Sequence, residues 1–151
     1  MARWHTMADP QRTLERRVTT LLAALVLFDL GLVIWAGLLP KLWFKAFHGV
    51  PYVDPKTLLP RMAAQWAGFM LCQLAALLRW RRAPWWIVLV AGVRLCDALT
   101  DITYVVLAEH TTWFAKATLP AMGPINALMA WYLIRCWKQL GQRAGTAGRG
   151  D

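Results

Sequence analysis

The chain has 151 residues, 58% of them hydrophobic and 17% charged, with a mean hydropathy of +0.39 and a formal net charge of +9. So apolar a composition excludes a disordered chain, and no nucleotide loop, internal repeat or soluble domain stands beside the apolar runs. Three cysteines, Cys72, Cys96 and Cys136, lie at unrelated spacings inside those runs, which excludes a disulfide or metal framework and leaves them as small packing residues.

A bilayer core about 30 Å thick needs roughly twenty helical residues. Four segments meet that need: 18–39, 60–79, 85–107 and 117–137. The expected fold is all-α, a four-helix transmembrane bundle over residues 18–137. A basic head, 1–17, precedes it, and a Gly-rich flexible tail, 138–151, follows it with too little apolar surface to order itself.

The first span follows Arg16 and Arg17 as the core of a signal peptide would. It is longer than such a core, contains Asp29 and lacks a small-x-small cleavage site, so it is read as an uncleaved helix. The connection after it, LPKLWFKAFHGVPYVDP, alternates aromatics with lysines between Pro40, Pro51 and Pro55. Its first part is expected to form a short amphipathic helix on the membrane surface, with Trp43, Phe44, Phe47 and His48 as an outer lid. His48 and His110 form no spaced metal motif, and no histidine falls within a span to ligate haem, so neither metal nor cofactor is expected.

The second span carries Gln65 and Gln73, and the third carries GVRLCDALTD in the middle of an apolar run. Steps of three, four and three place Arg94, Asp97, Asp101 and Tyr104 on one helix face. An ion in hydrocarbon is costly even on the lenient insertion scales, so that face must point into the bundle and meet partners there. Asp29 of the first span and Asn126 of the fourth lie at similar depth, and small residues beside the polar ones, Ala64 with Gly68 and Gly123 with Ala127, are expected to let backbones approach closely. Arg94 supplies one positive charge against three negative ones from Asp29, Asp97 and Asp101. Full ionisation would leave −2 in a low-dielectric interior, so a proton, a cation or a polar ligand is expected to complete the set; the alternative is a structural knot that fixes helix register.

The basic residues divide unevenly. Arg3, Arg12, Arg16, Arg17, Arg79, Arg81, Arg82, Arg135, Lys138, Arg143 and Arg149 fall on the side of the termini, and Lys41, Lys45, Lys56, Arg61 and Lys116 on the other. By the positive-inside rule both termini are cytoplasmic, in a membrane of the bacterial inner-membrane kind. Anionic headgroups account for the basic face, and no nucleic acid partner is expected. Tryptophans near both ends of the spans, Trp35, Trp43, Trp66 and Trp113 on one side and Trp80, Trp85, Trp86, Trp131 and Trp137 on the other, read as an aromatic belt.

The order GLVIWAGLLPKLW, FHGVP, RMAAQWAGFMLCQLAALLRW and VAGVRL resembles the small four-helix membrane proteins of the DoxX-like group over about residues 20 to 137. That resemblance implies a subunit or helper of membrane redox and quinone chemistry, but no catalytic signature to carry over. Asp29 and Asp101 have no counterpart in the pattern.

Two function classes follow. The first is a non-enzymatic membrane protein, either an accessory subunit of a larger complex or homo-oligomer, or a binder of a small hydrophobic ligand such as a lipid, quinone or isoprenoid around the buried polar cluster. The second is a membrane isomerase that uses its buried aspartates as acid and base on a lipid- or sterol-like substrate. The absence of a nucleophile or metal motif favours the first, and a proton-coupled carrier comes third, since four short helices enclose little room.

Overall fold

A computed structural model of the chain describes residues 10–107 and 111–147. All regular structure in them is helical: α1 (Pro10–Leu38), α2 (Pro40–Phe47), α3 (Leu58–Arg79), α4 (Trp85–Leu107) and α5 (Trp113–Ala147). The helices that correspond to the first and last expected spans run beyond them at the end of the molecule where the termini lie. In α1, Leu14 is buried in the core although it belongs to the basic head. In α5 the helix continues through residues expected to be a flexible tail, because Lys138, Gln139, Leu140, Gln142 and Arg143 are all good helix formers. The first nine residues of the head and the last four of the tail lie outside the described residues.

Each long helix buries one stripe. Leu14, Val18, Leu22, Leu25, Asp29 and Ala36 form it on α1, and Leu59, Ala63, Trp66, Gln73 and Ala76 on α3. Ile87, Val90, Ala91, Arg94, Asp97 and Ala98 form it on α4, and Ala115, Gly123, Asn126, Ala130, Leu133 and Cys136 on α5. Steps of three and four keep such a stripe on one side of a helix of 3.6 residues per turn. In each case the stripe is apolar at both ends and polar at its centre.

The four stripes assemble two apolar layers. One joins the start of α1, the end of α3, the start of α4 and the end of α5, with Leu22, Leu25, Trp80, Ile87, Val90 and Leu133 among its members. That sharing makes successive long helices antiparallel. The other layer, at the α2 end, gathers Ala36, Trp43, Phe47, Leu59, Ala63, Trp66 and Ala115. Along their lengths α1 lies against α3 and α4 against α5, while the contacts between α1 and α5 are sparse. The bundle is therefore two helix pairs closed on one another by their facing stripes.

Short α2 is fixed at both ends. Pro40 occupies its first turn, where a missing N–H costs nothing. At its far end Gly49 takes the left-handed conformation, φ +68°, which a Cβ would strain while meeting Thr112 at 3.2 Å. Thr112 donates its backbone N–H to Phe47 O at 2.9 Å and its hydroxyl to Ala46 O, and the same hydroxyl accepts the Ala115 N–H at 3.2 Å as the cap of α5. One threonine thus starts α5 and ties α2 to it. Trp43 stacks on Phe47 at 4.4 Å between centroids and meets Trp35 and Trp66 at 5.3 Å each, so α2 is packed into the bundle end by its aromatic face.

One helix among the described residues, α1 over Gln11–Leu38, is long and apolar enough by itself to cross a membrane. The other long helices are diluted by polar groups, some in their buried stripes, Gln73 in α3, Arg94 and Asp97 in α4 and Asn126 in α5, and some outside them, such as the exposed Gln65 and Lys116.

Candidate functional site: a buried polar layer

Between the two apolar layers the helix stripes bring Asp29, Gln73, Arg94, Asp97 and Asn126 together, all buried. Asp29 occupies a position in the α1 stripe where the period calls for a hydrophobe, and its Oδ2 accepts the Arg94 Nη2 at 2.7 Å and the Gln73 Nε2 at 2.6 Å. One carboxylate oxygen therefore joins α1, α3 and α4. Arg94 also reaches Asp97 one turn along its own helix, Nη1 to Oδ2 at 3.4 Å, and donates to Asn126 Oδ1 at 3.5 Å.

Asn126 closes the layer from α5. Its oxygen faces the arginine, which can only donate, while its Nδ2 donates to Asp97 at 3.2 Å and to Asp101 at 3.1 Å. The amide's two ends are set by partners of opposite kind. Two acceptors, Asp29 Oδ1 and Gln73 Oε1, and one donor, Arg94 Nε, have no protein partner among the described residues. Such atoms raise the cost of the layer by about 1–3 kcal/mol each, so it is rigid and specific rather than a large source of stability.

The residues singled out in the sequence are not all in this layer. Asp101 is half-buried at its edge and enters through Asn126. Tyr104, a turn further along α4, bonds instead to His48, with its hydroxyl 2.7 Å from Nε2, and so belongs with α2. Gln65 is exposed and takes no part, which corrects its expected place beside Gln73. At about 100° per residue, eight positions leave the two glutamines about 80° apart, enough to turn one inward and the other out.

Of the small residues, Gly123 does bring α5 close to α4: a Cβ there would lie 3.3 Å from Ile102 Cγ1 and 3.6 Å from Ala98 O. Ala64, Gly68 and Ala127 are exposed, and a Cβ at Gly68 would meet nothing within 4 Å, so they make no such approach. On α1 it is Gly37 that faces α3: a Cβ there would lie 3.5 Å from Ala63 Cβ.

The aromatic belt needs a similar correction. Trp113, Trp85 and Trp131 are exposed, but Trp43, Trp66 and Trp80 are buried in the two apolar layers. Position along a helix fixes depth, whereas facing depends on which neighbour the helix packs against. Trp66 lies seven residues before Gln73, two turns on the same face, and that spacing is the signal that would have placed it inward.

The lid residues behave as a unit. Trp43 and Phe47 are buried, Phe44 packs on Tyr52 at 4.9 Å, and His48 lies between Phe44 and Tyr104. His110 and Glu109 lie outside the described residues, and among the described ones no group of three metal-binding side chains occurs.

A sizeable concavity lies away from the polar layer. Where α1 and α5 diverge, a groove of about 800 Å³ is lined by Arg16, Arg17, Leu21, Ala24, Leu128 and Met129 among others. A smaller recess of about 300 Å³ continues it to Arg135 and shares Arg17, Trp131 and Tyr132 with it.

Comparison with known proteins finds no matching family model, no similar curated protein and no similar solved structure.

Proposed function

We propose that the chain is an integral membrane protein, a four-span bundle with both termini cytoplasmic, that acts without catalysis as a binder of a hydrophobic ligand or as an accessory subunit. The observation that carries this is the reversal of polarity across the bundle. At the depth of Asp29, Gln73, Arg94, Asp97 and Asn126, the outward faces are Leu27, Phe28, Leu30, Leu71, Leu95, Leu99 and Ile125, all exposed. Water would oppose that girdle, and hydrocarbon favours it. Gln73, Arg94, Asp97 and Asn126 face inward, so at their depth α3, α4 and α5 present lipid with an apolar surface.

The non-catalytic reading rests on the same layer. A general acid must reach its substrate. Arg94, Asp29 and Asp97 have side chains no more than 6% exposed and are occupied with one another. An isomerase would need an acid facing an apolar chamber, and the larger concavity lies elsewhere. The layer is better suited to setting the register of two helix pairs. The DoxX-like pattern agrees with such a bundle as a fold-level analogy only.

A cysteine introduced for Tyr52 and a reporter fused after Asp151 test the topology in intact bacterial cells. The expected result is labelling at position 52 by an impermeant thiol reagent and a reporter active only in the cytoplasm. Extraction of the chain from membranes by alkaline carbonate without detergent would defeat the membrane reading altogether. Native mass spectrometry of gently solubilised protein then reports the bound ligand or partner.

A further inference from the structure

We infer that the groove between α1 and α5 is a binding site for one anionic phospholipid of the leaflet on the side of the termini. This rests on the membrane reading above. The groove is amphipathic along its length: Arg16 and Arg17 stand at the end nearer the termini, and Leu21, Ala24, Leu128 and Met129 continue toward the bundle's middle. From Arg17 to Ala24 the helix rises about 10 Å, the depth of the upper part of an acyl chain.

Its charge is one-sided. Arg135 joins Arg17 through the smaller recess, and among the described residues no acidic side chain lines either concavity. The Arg135 guanidinium lies over the Trp131 ring, 5.4 Å from its centroid, which holds it at the lip of the groove. Three arginines at one end of an apolar trough and its adjoining recess suit a phosphodiester headgroup, because the planar fork donates to two phosphate oxygens at once. Thr13 and Thr20 line the same wall and add hydroxyl donors.

The groove also exists for a reason in the packing. The α1 stripe turns Leu14, Val18, Leu22 and Leu25 toward the shared layer, and α5 turns Ala130, Leu133 and Cys136 there, so the flanks carrying Ala24 and Leu128 diverge and stay exposed. In a bilayer such a lateral cleft is filled by lipid, since nothing else of that length is present. The arginines select which lipid.

The test uses the full chain reconstituted in phosphatidylcholine vesicles. Binding is followed as quenching of tryptophan fluorescence, Trp131 being in the groove, by phosphatidylglycerol brominated on its acyl chains, against brominated phosphatidylcholine. Phosphatidylglycerol is expected to be preferred about tenfold or more, and the double variant Arg16→Gln, Arg17→Gln to abolish the preference. Removing the same charge at the same end but outside the groove, by Arg79→Gln with Arg82→Gln, is expected to leave it. Ala24→Phe, which fills the trough, spares the arginines and adds no tryptophan to the signal, is expected to remove quenching by both lipids at this site.

Equal quenching by the two lipids would overturn the inference, as would an equal loss in the two double arginine variants, which would mean attraction to the basic face as a whole. Protein that fails to float with the vesicles would instead defeat the membrane reading.

Discussion

The Arg94 guanidinium on α4 donates to the Asp29 carboxylate on α1 at 2.7 Å, and neither side chain has any exposed surface. The pair spans the two helix pairs of the bundle, so its removal acts on the assembly of the whole. Arg94→Met leaves two buried carboxylates without their cation and is expected to destabilise by about 3–5 kcal/mol. Combining it with Asp29→Leu removes both charges and is expected to cost less than Arg94→Met alone. Thermal unfolding in detergent separates them; a double variant no more stable than the single one would show that the pair does not act through charge.

A second expectation concerns helix approach. Gly123→Leu must push against Ile102 and the backbone oxygen of Ala98, which cannot retreat without moving α4. A loss of about 1–3 kcal/mol is expected. Gly68→Ala meets nothing within 4 Å and is expected to be neutral or to gain up to about 1 kcal/mol through helix propensity. The same unfolding assay checks both, and similar losses at the two glycines would contradict the packing described.

These two sites also mark what the sequence makes legible. The steps from Arg94 to Asp97 and Asp101 are short enough that helical periodicity alone puts them on one side, and the need of charges in an apolar run for partners turns that side toward the other helices. Depth was enough to pair Asp29 and Asn126 with them. Facing over longer spacings was not: eight residues separate Gln65 from Gln73, and the accumulated angle carried one out of the layer. Contacts that depend on how whole helices are paired, such as Tyr104 with His48 or the divergence of α1 from α5, have no local signal. The amphipathic alternation of residues 40–47 did announce α2, but its hold on Thr112 is set by the meeting of chain segments more than sixty residues apart.

That hold gives a third expectation. Trp43→Ala removes the ring that Trp35, Phe47 and Trp66 pack against, and a loss of about 3–5 kcal/mol is expected for a buried tryptophan. Because α2 is joined to the rest mainly through this cluster and Thr112, the opening should be local. Hydrogen exchange is expected to rise over residues 40–48 and to stay unchanged around Leu22, Ile87 and Leu133. A uniform rise through all helices would mean that α2 is integral to the bundle rather than a cover on it.

The last expectation is a dependence on pH that arises outside the helix bundle. Asp54, in the loop before α3, accepts the backbone N–H of Leu59 at Oδ2 and of Leu58 at Oδ1, each at 2.9 Å. It thereby satisfies two of the four amides that a helix start leaves without partners. Thr57, directly before the helix, sits in the left-handed region at φ 53° and makes no side-chain cap, which leaves the task to Asp54. The Leu59 bond, foremost, holds the Asp54 carboxyl below the ordinary aspartate value of 3.8; partial desolvation opposes it, and the Leu58 bond adds to it. A carboxyl lowered on folding stabilises the fold above its unfolded value, and that contribution fades as the pH falls through the folded one. Asn at this position keeps one acceptor and turns an N–H₂ toward the second amide, so Asp54→Asn is expected to unfold at a lower temperature than the wild type from pH 7 down to about 5. Below 3.8 the two melting curves should draw together, since the unfolded wild-type carboxyl takes up a proton there and the folded one follows at a lower pH. A difference that persisted unchanged below pH 3 would show that the loss comes from shape and not from the charge at the start of α3.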